Sequence, residues 1–158
     1  MAPQAVRHLV GTADDEALVI TIDPGSARYF NVPVTNVWTV TDDYWDQQTS
    51  LNNVQATAAA DGTYTLVLSP TEPCTAAGCV ANWVSTGGLN QGTLSIRFQD
   101  IDLENFVAPT VSARVIKLAD LDTELPSGVA FLTPEERADA LATRKAGYDK
   151  RYAPFVQI

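Results

Sequence analysis

Residues 28–41 read RYFNVPVTNVWTVT, and this stretch decides the fold. Apolar and polar side chains alternate along it, which is the pattern of a β-strand with one face toward a core. The apolar face is formed by Phe30, Val32, Val34, Trp38 and Val40. We therefore predict a strand over residues 28–41 that directs these side chains, including that of Trp38, into the core. Pro33 has no N–H group for a central ladder, so the strand is predicted to be broken, bulged or at a sheet edge there.

Further strands are predicted before and after this one. They are rich in β-branched residues or alternate in polarity, and turn-forming residues separate them. The predicted strands cover residues 17–22, 54–59, 63–69, 92–99 and 111–118. Asp61-Gly62, between the second and third of these, is a strong hairpin signal.

The pattern changes to a helical period near the C-terminus. Thr133, Pro134 and Glu136 supply a capping side chain, a proline at the first helical position and a glutamate at the third. A stripe at helical spacing follows, consisting of Ala138, Leu141, Ala142, Lys145, Tyr148 and Tyr152. We predict that this stripe packs on the β-rich core, or alternatively against a partner chain.

Short strands with turn punctuation and one terminal helix predict a mainly β fold, an antiparallel β-sandwich or jelly roll with a C-terminal α-helix. We predict a single domain over residues 1–158. It divides into an N-terminal lead-in (1–16), the sandwich strands (17–118), a linker (119–132) and the helix (133–152).

An ordered series of segments resembles one known family. The series is ARYFNVPVTNVW, QTSLNN, ADGTYTLVLSPTEP, ANWVSTGGLNQGTLSIRFQ and TPEERADALATRKAGYDKRYA, from about residue 17 to residue 153. In this order it resembles the bacterial domain-of-unknown-function family 1214. The resemblance implies a jelly-roll β-sandwich, often placed behind a second β-rich domain, and implies no established activity. The cysteine-bearing segment 74–79 departs from the family pattern and indicates an elaborated loop.

The bulk composition disfavours two classes of partner. The net charge is −9, from 19 acidic and 10 basic residues, whereas nucleic acids and anionic membranes attract a basic patch. No apolar run is long enough to span a membrane, and the start of the chain lacks the pattern of a signal peptide. The absence of a signal-peptide pattern predicts either a cytoplasmic protein or one whose leader or upstream domain is not part of this sequence. Cys74 and Cys79 are best interpreted as a local disulfide, and the alternative is two reduced thiols. A disulfide would predict an extracytoplasmic protein.

Residues 42–53, DDYWDQQTSLNN, concentrate polar and aromatic side chains. Asp42, Asp43 and Asp46 admit three interpretations: ligands of a metal ion, an acid and base pair, or a solvated loop. Their spacing is not that of a calcium loop, so the loop interpretation is favoured and neither a metal nor a cofactor is predicted. His8 is the only histidine, and no nucleophile elbow or phosphate-binding motif occurs, which disfavours a histidine-dependent hydrolase.

Aromatic and amide side chains are the candidates for contact with a ligand. Trp45 and Trp83 lie in predicted loops, and rings there can stack on a sugar or an apolar molecule. The amide side chains admit either ligand binding or bonds to the backbone, and Arg97 admits either a clamp on a carboxylate or an ordinary ion pair. The candidate ligand-binding residues are Asn36, Tyr44, Trp45, Asn52, Asn82, Trp83 and Arg97.

The sequence favours a non-catalytic module that binds a small molecule, a glycan or a partner protein. One alternative is a carboxylate-dependent enzyme acting on a glycan or an apolar substrate. Another is a structural subunit of a homo-oligomer or larger assembly, with the C-terminal helix packed against a neighbouring chain.

Overall fold

The computed structural model describes the backbone of residues 5–152 and the side chains of residues 11–152. The chain is mainly β, with 41% strand and 18% helix. The strands are β1 (Ala5–Gly11), β2 (Glu16–Asp23), β3 (Ala27–Asn36), β4 (Ser50–Asn52), β5 (Tyr64–Ser69), β6 (Cys74–Thr75), β7 (Gly78–Val80), β8 (Trp83–Ser85), β9 (Gln91–Ile101), β10 (Thr110–Lys117) and β11 (Phe131–Leu132). A 3₁₀ turn (Leu118–Asp120) leads into the short helix α1 (Leu121–Glu124), and the long helix α2 covers Pro134–Tyr152.

The described strands form three sheets. The first has the order β1-β9-β3-β4 and is antiparallel, and the second has the order β10-β2-β5-β8, with β5 and β8 parallel. A small third sheet, β11-β7-β6, leads directly into α2. β3 therefore lies between β9 and β4 rather than at an edge, and Pro33 sits in the short β3–β4 pairing.

One hydrophobic cluster joins the two large sheets. It contains alternate residues of β2 and β5 from the second sheet and of β3 and β9 from the first. Phe30 is fully buried there, and its ring meets the Tyr64 ring edge to face at 4.8 Å between centroids. Strands with one apolar face thus bury that face against the other sheet.

The second sheet is also covered on its opposite face. There Ala17, Val19 and Val67 join a second cluster with residues of β7, β10 and α1. This explains why residues 17–22 are almost continuously apolar, because β2 is buried on both faces.

The predicted strand over residues 28–41 is too long, and the predicted burial of Trp38 is wrong. β3 ends at Asn36, whose side-chain oxygen accepts the N–H groups of Trp38 and Val40, both at 3.0 Å. Thr39 has a φ of 60°, so the chain turns back on itself here. Trp38 is 81% exposed and Val40 59% exposed at the tip of this turn.

Three other features differ from the sequence-based expectation. Residues 54–59 are not a strand, because Asn52 accepts the N–H groups of Val54 and Gln55 and begins a turn. Asp61-Gly62 does form a turn, with Gly62 at a φ of 85°, but it does not join two strands. The segment 1–16, expected as a lead-in, contains β1, which pairs with β9.

Helix α2 begins as predicted, with a capping box. The Thr133 hydroxyl accepts the Glu136 N–H at 3.2 Å, and the Glu136 carboxylate accepts the Thr133 N–H at 2.8 Å. The predicted buried stripe is partly wrong, because Ala138, Ala142 and Lys145 are exposed. The inward face is instead formed by Arg137, Leu141, Arg144, Tyr148 and Tyr152. No helix among residues 5–152 is both long and apolar enough to cross a membrane.

Two glycines give a matched test of this packing. Gly92 is buried in β9, where an added Cβ would lie 2.3 Å from the Thr35 carbonyl oxygen. We expect Gly92→Ala to lower the free energy of unfolding by about 1–3 kcal/mol, because β3 and β9 must separate. Gly147 in α2 has open space around its Cα, so Gly147→Ala should raise the free energy of unfolding by about 1 kcal/mol. Urea denaturation measures both changes, and a stable Gly92→Ala variant would contradict the β3–β9 register.

Candidate ligand-binding groove

A surface groove lies between helix α2 and the segment that contains residues 42–55. Its volume is about 340 Å³. We call it the aromatic groove, and it is lined by Tyr44, Gln55, Thr143, Arg144, Gly147, Tyr148, Arg151 and Tyr152. Polar contacts of Arg144 and Lys145 and aromatic contacts of Tyr148 hold α2 close to this segment.

The N-terminal end of α2 is held by a buried arginine. Arg137 is 5% exposed, and its Nε donates to Glu72 Oε1 at 2.6 Å. Its Nη2 donates to the Val80 carbonyl at 2.6 Å, and its Cζ lies 5.7 Å from the centroid of the Trp83 ring. A charge that is paired, hydrogen-bonded and placed over an aromatic face is tolerated in a buried position.

The middle of α2 is held by two further cations. Arg144 donates to the backbone carbonyl of Ser50 and, at 3.4 Å, to the Ser50 hydroxyl. Lys145 Nζ lies 2.9 Å from Asp46 Oδ1 and 4.2 Å from the centroid of the Trp45 ring. The hydrogen bond to Asp46 raises the pKa of Lys145 above its ordinary value.

The C-terminal half of α2 contributes to a cluster of four aromatic rings. Tyr148 is its centre: the Trp45 ring stacks on it at 5.3 Å, and the Tyr44 ring meets it edge to face at 5.5 Å. Tyr152 lies one turn later, 4.6 Å from Tyr148 between centroids. Hydrogen bonding with Tyr152 raises the pKa of the Tyr44 phenol above its ordinary value.

The other side of the groove is also fixed. Gln48 is buried, and its side-chain nitrogen donates to the backbone carbonyl of Trp83. The backbone carbonyl of Gln48 accepts the Ser85 N–H at 2.8 Å. The Ser85 hydroxyl lies 3.0 Å from Gln47 Oε1. Residues 42–49 are therefore a loop attached to β8, which places Tyr44 and Trp45 against α2.

The predicted ligand-binding residues separate into two groups. Tyr44 lines the groove, whereas Trp45 is outside the lining and stacks on Tyr148. The indole N–H of Trp45 is buried and has no acceptor among the described residues. Trp83 and Arg97 lie outside the groove. The Trp83 ring contacts the Arg137 guanidinium, and Arg97 is exposed on β9 without an ion pair to any described side chain.

The three candidate asparagines bond to the backbone. Asn36 and Asn52 accept backbone N–H groups in turns. Asn82 is buried and uses both ends of its amide: its oxygen accepts the Thr57 N–H at 2.8 Å, and its nitrogen donates to the carbonyls of Thr57 and Thr65. Asn82 thus ties the segment after β4 to β5 and offers little to a ligand.

The sequence-based candidates do not include the residues that α2 contributes to the groove lining. The helical stripe predicted from the sequence places Tyr148 and Tyr152 in a core, and it does not include Arg144. The available signal was the spacing of Arg144, Tyr148 and Tyr152, which at intervals of four lie on one helix face. Such a face is too polar for a core and instead suits a half-exposed surface.

The three acidic residues of the loop do not converge on one point. Asp46 is paired with Lys145, and Asp43 Oδ1 accepts the N–H groups of Trp45 and Asp46 at 3.0 and 3.1 Å. Among the described residues, the one group of three metal-ligand side chains is Glu72, Cys74 and Cys79. The two sulfurs of that group are 2.00 Å apart in a disulfide, which leaves no thiolate to bind a metal.

Comparison with known proteins indicates the fold and no activity. No protein-family model and no curated protein matches the chain. An uncharacterised protein from Burkholderia cenocepacia, known from its crystal structure, is 30% identical with a TM-score of 0.65, over 75% of this chain and 31% of that one. The VPA0106 protein from Vibrio parahaemolyticus is 16% identical with a TM-score of 0.47, over 68% of this chain and 30% of that one. The chain therefore spans about a third of the length of each of these solved proteins.

A pair of ion-pair variants tests how α2 is held. Glu72→Gln leaves Arg137, whose side chain is 6% exposed, without its counter-charge, and we expect a loss of roughly 3 kcal/mol in the free energy of unfolding. The matched control is Glu124→Gln, which removes the partner of Arg114 in a pair 45–49% exposed and should cost at most about 1 kcal/mol. Urea denaturation compares them; equal costs would contradict the structural role of the buried pair.

The buried acid of the loop predicts a pH-dependent effect. Asp42 Oδ2 is buried without a hydrogen-bond partner among the described residues, and burial raises the pKa of this carboxyl. A raised folded-state pKa means that ionisation destabilises the fold as the pH rises. We therefore expect Asp42→Asn to be more stable than the natural chain at neutral pH. The gain should disappear as the pH falls below the pKa of an unfolded aspartate, about 3.9. Unfolding measured from about pH 3 to pH 7 checks this, and a gain independent of pH would contradict it.

Proposed function

We propose that this chain is a non-catalytic binding module whose aromatic groove accepts a small ring-bearing molecule, either a sugar or an aromatic compound. The observation that carries the proposal is the set of three tyrosines, Tyr44, Tyr148 and Tyr152, on the lining of one groove. Tyrosine rings offer an apolar face together with a polar hydroxyl, which suits contact with the faces and edges of a bound ring.

The size and chemistry of the groove support this proposal. A volume of about 340 Å³ is at the lower end of the usual range for small-molecule pockets. Gln55 and Thr143 add polar groups to the aromatic walls. The Gln55 side-chain oxygen already accepts the Asn52 N–H at 3.2 Å, so the amide nitrogen is the atom available to a ligand.

The contacts that position the two walls of the groove also support a binding role. One wall is a helix held by Arg137, Arg144 and Lys145, and the other is a loop held through Gln48 to β8. A preformed site does not have to order its own side chains when the ligand arrives, which lowers the cost of binding.

The fold proposed for this module is a β-sandwich of the jelly-roll type. Two four-stranded sheets contribute to one hydrophobic cluster, and the consecutive strands β1, β2 and β3 alternate between the sheets, as do β8, β9 and β10. Alternation between two packed sheets is typical of jelly rolls. Membership of domain-of-unknown-function family 1214 is part of the same proposal, and the ordered sequence segments support it.

The disulfide supports an oxidising compartment for this module. Cys74 and Cys79 are opposite each other in the β6–β7 hairpin, and their sulfurs are at bonding distance. Disulfides persist in extracytoplasmic environments and are rare in the cytosol. We therefore propose an extracytoplasmic location.

The test is direct binding of four small probes: glucose, glucuronate, benzamide and benzoate. We expect at least one to bind, detected by saturation-transfer NMR on the 158-residue chain. Tyr148→Ala removes a ring contact worth about 0.5–1.5 kcal/mol and should weaken that binding about two- to tenfold. Trp38→Ala, which removes an exposed ring outside the groove, is the control and should bind normally. The absence of binding by all four probes, or binding that Tyr148→Ala leaves unchanged, would overturn the proposal.

A further inference from the structure

The lining of the aromatic groove carries positive charge and, among the described residues, no negative charge. It includes Arg144 and Arg151 and contains no aspartate or glutamate. The whole chain, in contrast, has 19 acidic residues against 10 basic ones. A concave surface lined by one sign of charge concentrates ligands of the opposite sign.

Arg144 is half-buried and bonds only to neutral acceptors. Its described partners are the hydroxyl and the carbonyl oxygen of Ser50. Burial lowers the pKa of this guanidinium, which means that the protein holds the positive charge there at a desolvation cost. An oxyanion beside Arg144 would offset that cost through charge-assisted hydrogen bonds.

Five other cations of the described chain have acidic partners, whereas Arg97 and Lys150, both exposed and outside the groove, have none among the described residues. Ion pairs are formed by Arg28, Arg114, Lys117, Arg137 and Lys145. Neither arginine of the groove forms one with a described carboxylate. Arg151 lies beside the ring of Tyr152, with its Cζ 5.5 Å from the ring centroid. Both charges of the groove therefore lack a described counter-ion and can pair with an anionic ligand.

The positions of charge and ring suggest how such a ligand would lie. Arg144, Tyr148 and Tyr152 follow one another at intervals of four on a single face of α2. Neighbours at this spacing have Cβ atoms about 5–6 Å apart, so the Arg144 side chain and the tyrosine side chains lie side by side on the groove wall. One molecule can therefore contact the guanidinium with its anionic group and the tyrosines with its ring.

We propose that the ligand of the aromatic groove carries a carboxylate attached to a ring, and that Arg144 binds this carboxylate while Tyr44, Tyr148 and Tyr152 contact the ring. This inference rests on the proposed function and adds the chemical class of the ligand. Two sources share the chemistry: an acidic sugar and an aromatic carboxylic acid.

The test compares each acid with its neutral analogue on the full chain. Glucuronate is paired with glucose, and benzoate is paired with benzamide, so each pair differs in the carboxylate. We expect the acid of at least one pair to bind about tenfold more tightly than its analogue, by titration calorimetry at low salt. A preference in the sugar pair identifies an acidic sugar as the ligand class, and a preference in the aromatic pair identifies an aromatic acid.

Variants of α2 assign this preference to one side chain. Arg144→Gln should remove the preference for the acid, and Arg144→Lys should restore part of it, because lysine keeps the charge but not the planar geometry. Lys150→Gln, an exposed position on the same helix outside the groove lining, removes the same charge and should keep the preference. Arg151→Gln gives a second measurement at the groove and should weaken the preference without disturbing the Ser50 contacts.

The outcomes separate the two proposals. Neutral analogues that bind as tightly as the acids would overturn this inference and leave the proposed function standing. A preference that survives Arg144→Gln in a folded variant would overturn the role of Arg144. No binding by any of the four compounds would overturn the proposed function and this inference with it.

Discussion

Arg137 carries a positive charge into a position that is almost closed to water, and the placement of α2 depends on how that charge is satisfied. Glu72 supplies the counter-charge, the Val80 carbonyl accepts a second hydrogen bond, and Trp83 offers a ring face. Glu72 lies just before β6, Val80 ends β7 and Trp83 begins β8, so all three partners are far from the helix in sequence. A single guanidinium therefore joins three parts of the chain, and the removal of one partner would leave a buried charge uncompensated.

The aromatic groove is a consequence of this arrangement. Once Arg137 has fixed the first turn of α2, the helix runs along the loop of residues 42–49, where Lys145 meets Asp46 and Tyr148 meets Trp45. The contacts along the helix are polar and aromatic rather than aliphatic. They hold the helix near the loop without filling the space between them, which leaves a groove instead of a closed core.

Much of the fold was predictable because one-faced burial leaves a period of two in the sequence. The strands around Phe30 and Ile96 were found in this way, and the capping box at Thr133 gave the start of α2. The turn at Asn36 was missed because Val37, Trp38 and Val40 continue the apolar pattern past the point where the chain reverses. Hydrogen bonds from the backbone to the Asn36 side chain end the strand despite that pattern. The alternation of apolar and polar residues does not predict such hydrogen bonds.

The candidate site was harder to predict than the fold. Tyr44 and Trp45 were selected because they lie in a loop, and both belong to the aromatic cluster. Their partners Arg144, Tyr148 and Tyr152 are about a hundred residues later, and a spacing signal within one helix does not say which loop that helix will meet. The loop that the helix meets is decided by long-range contacts such as Arg137–Glu72. A sequence pattern within one segment does not show which distant segment it will contact.

The junction between β11 and α2 has a mechanical consequence. Leu132 is still paired with Cys79, Thr133 is the cap, and Pro134, whose ring fixes its φ, is already helical. No residue at this joint is free to absorb a large backbone rotation, as a hinge must. We therefore expect α2 to keep its orientation relative to the small sheet. Access to the tyrosine rings should then depend on rotation of side chains, which takes picoseconds to nanoseconds at exposed positions, rather than on a slower movement of the helix.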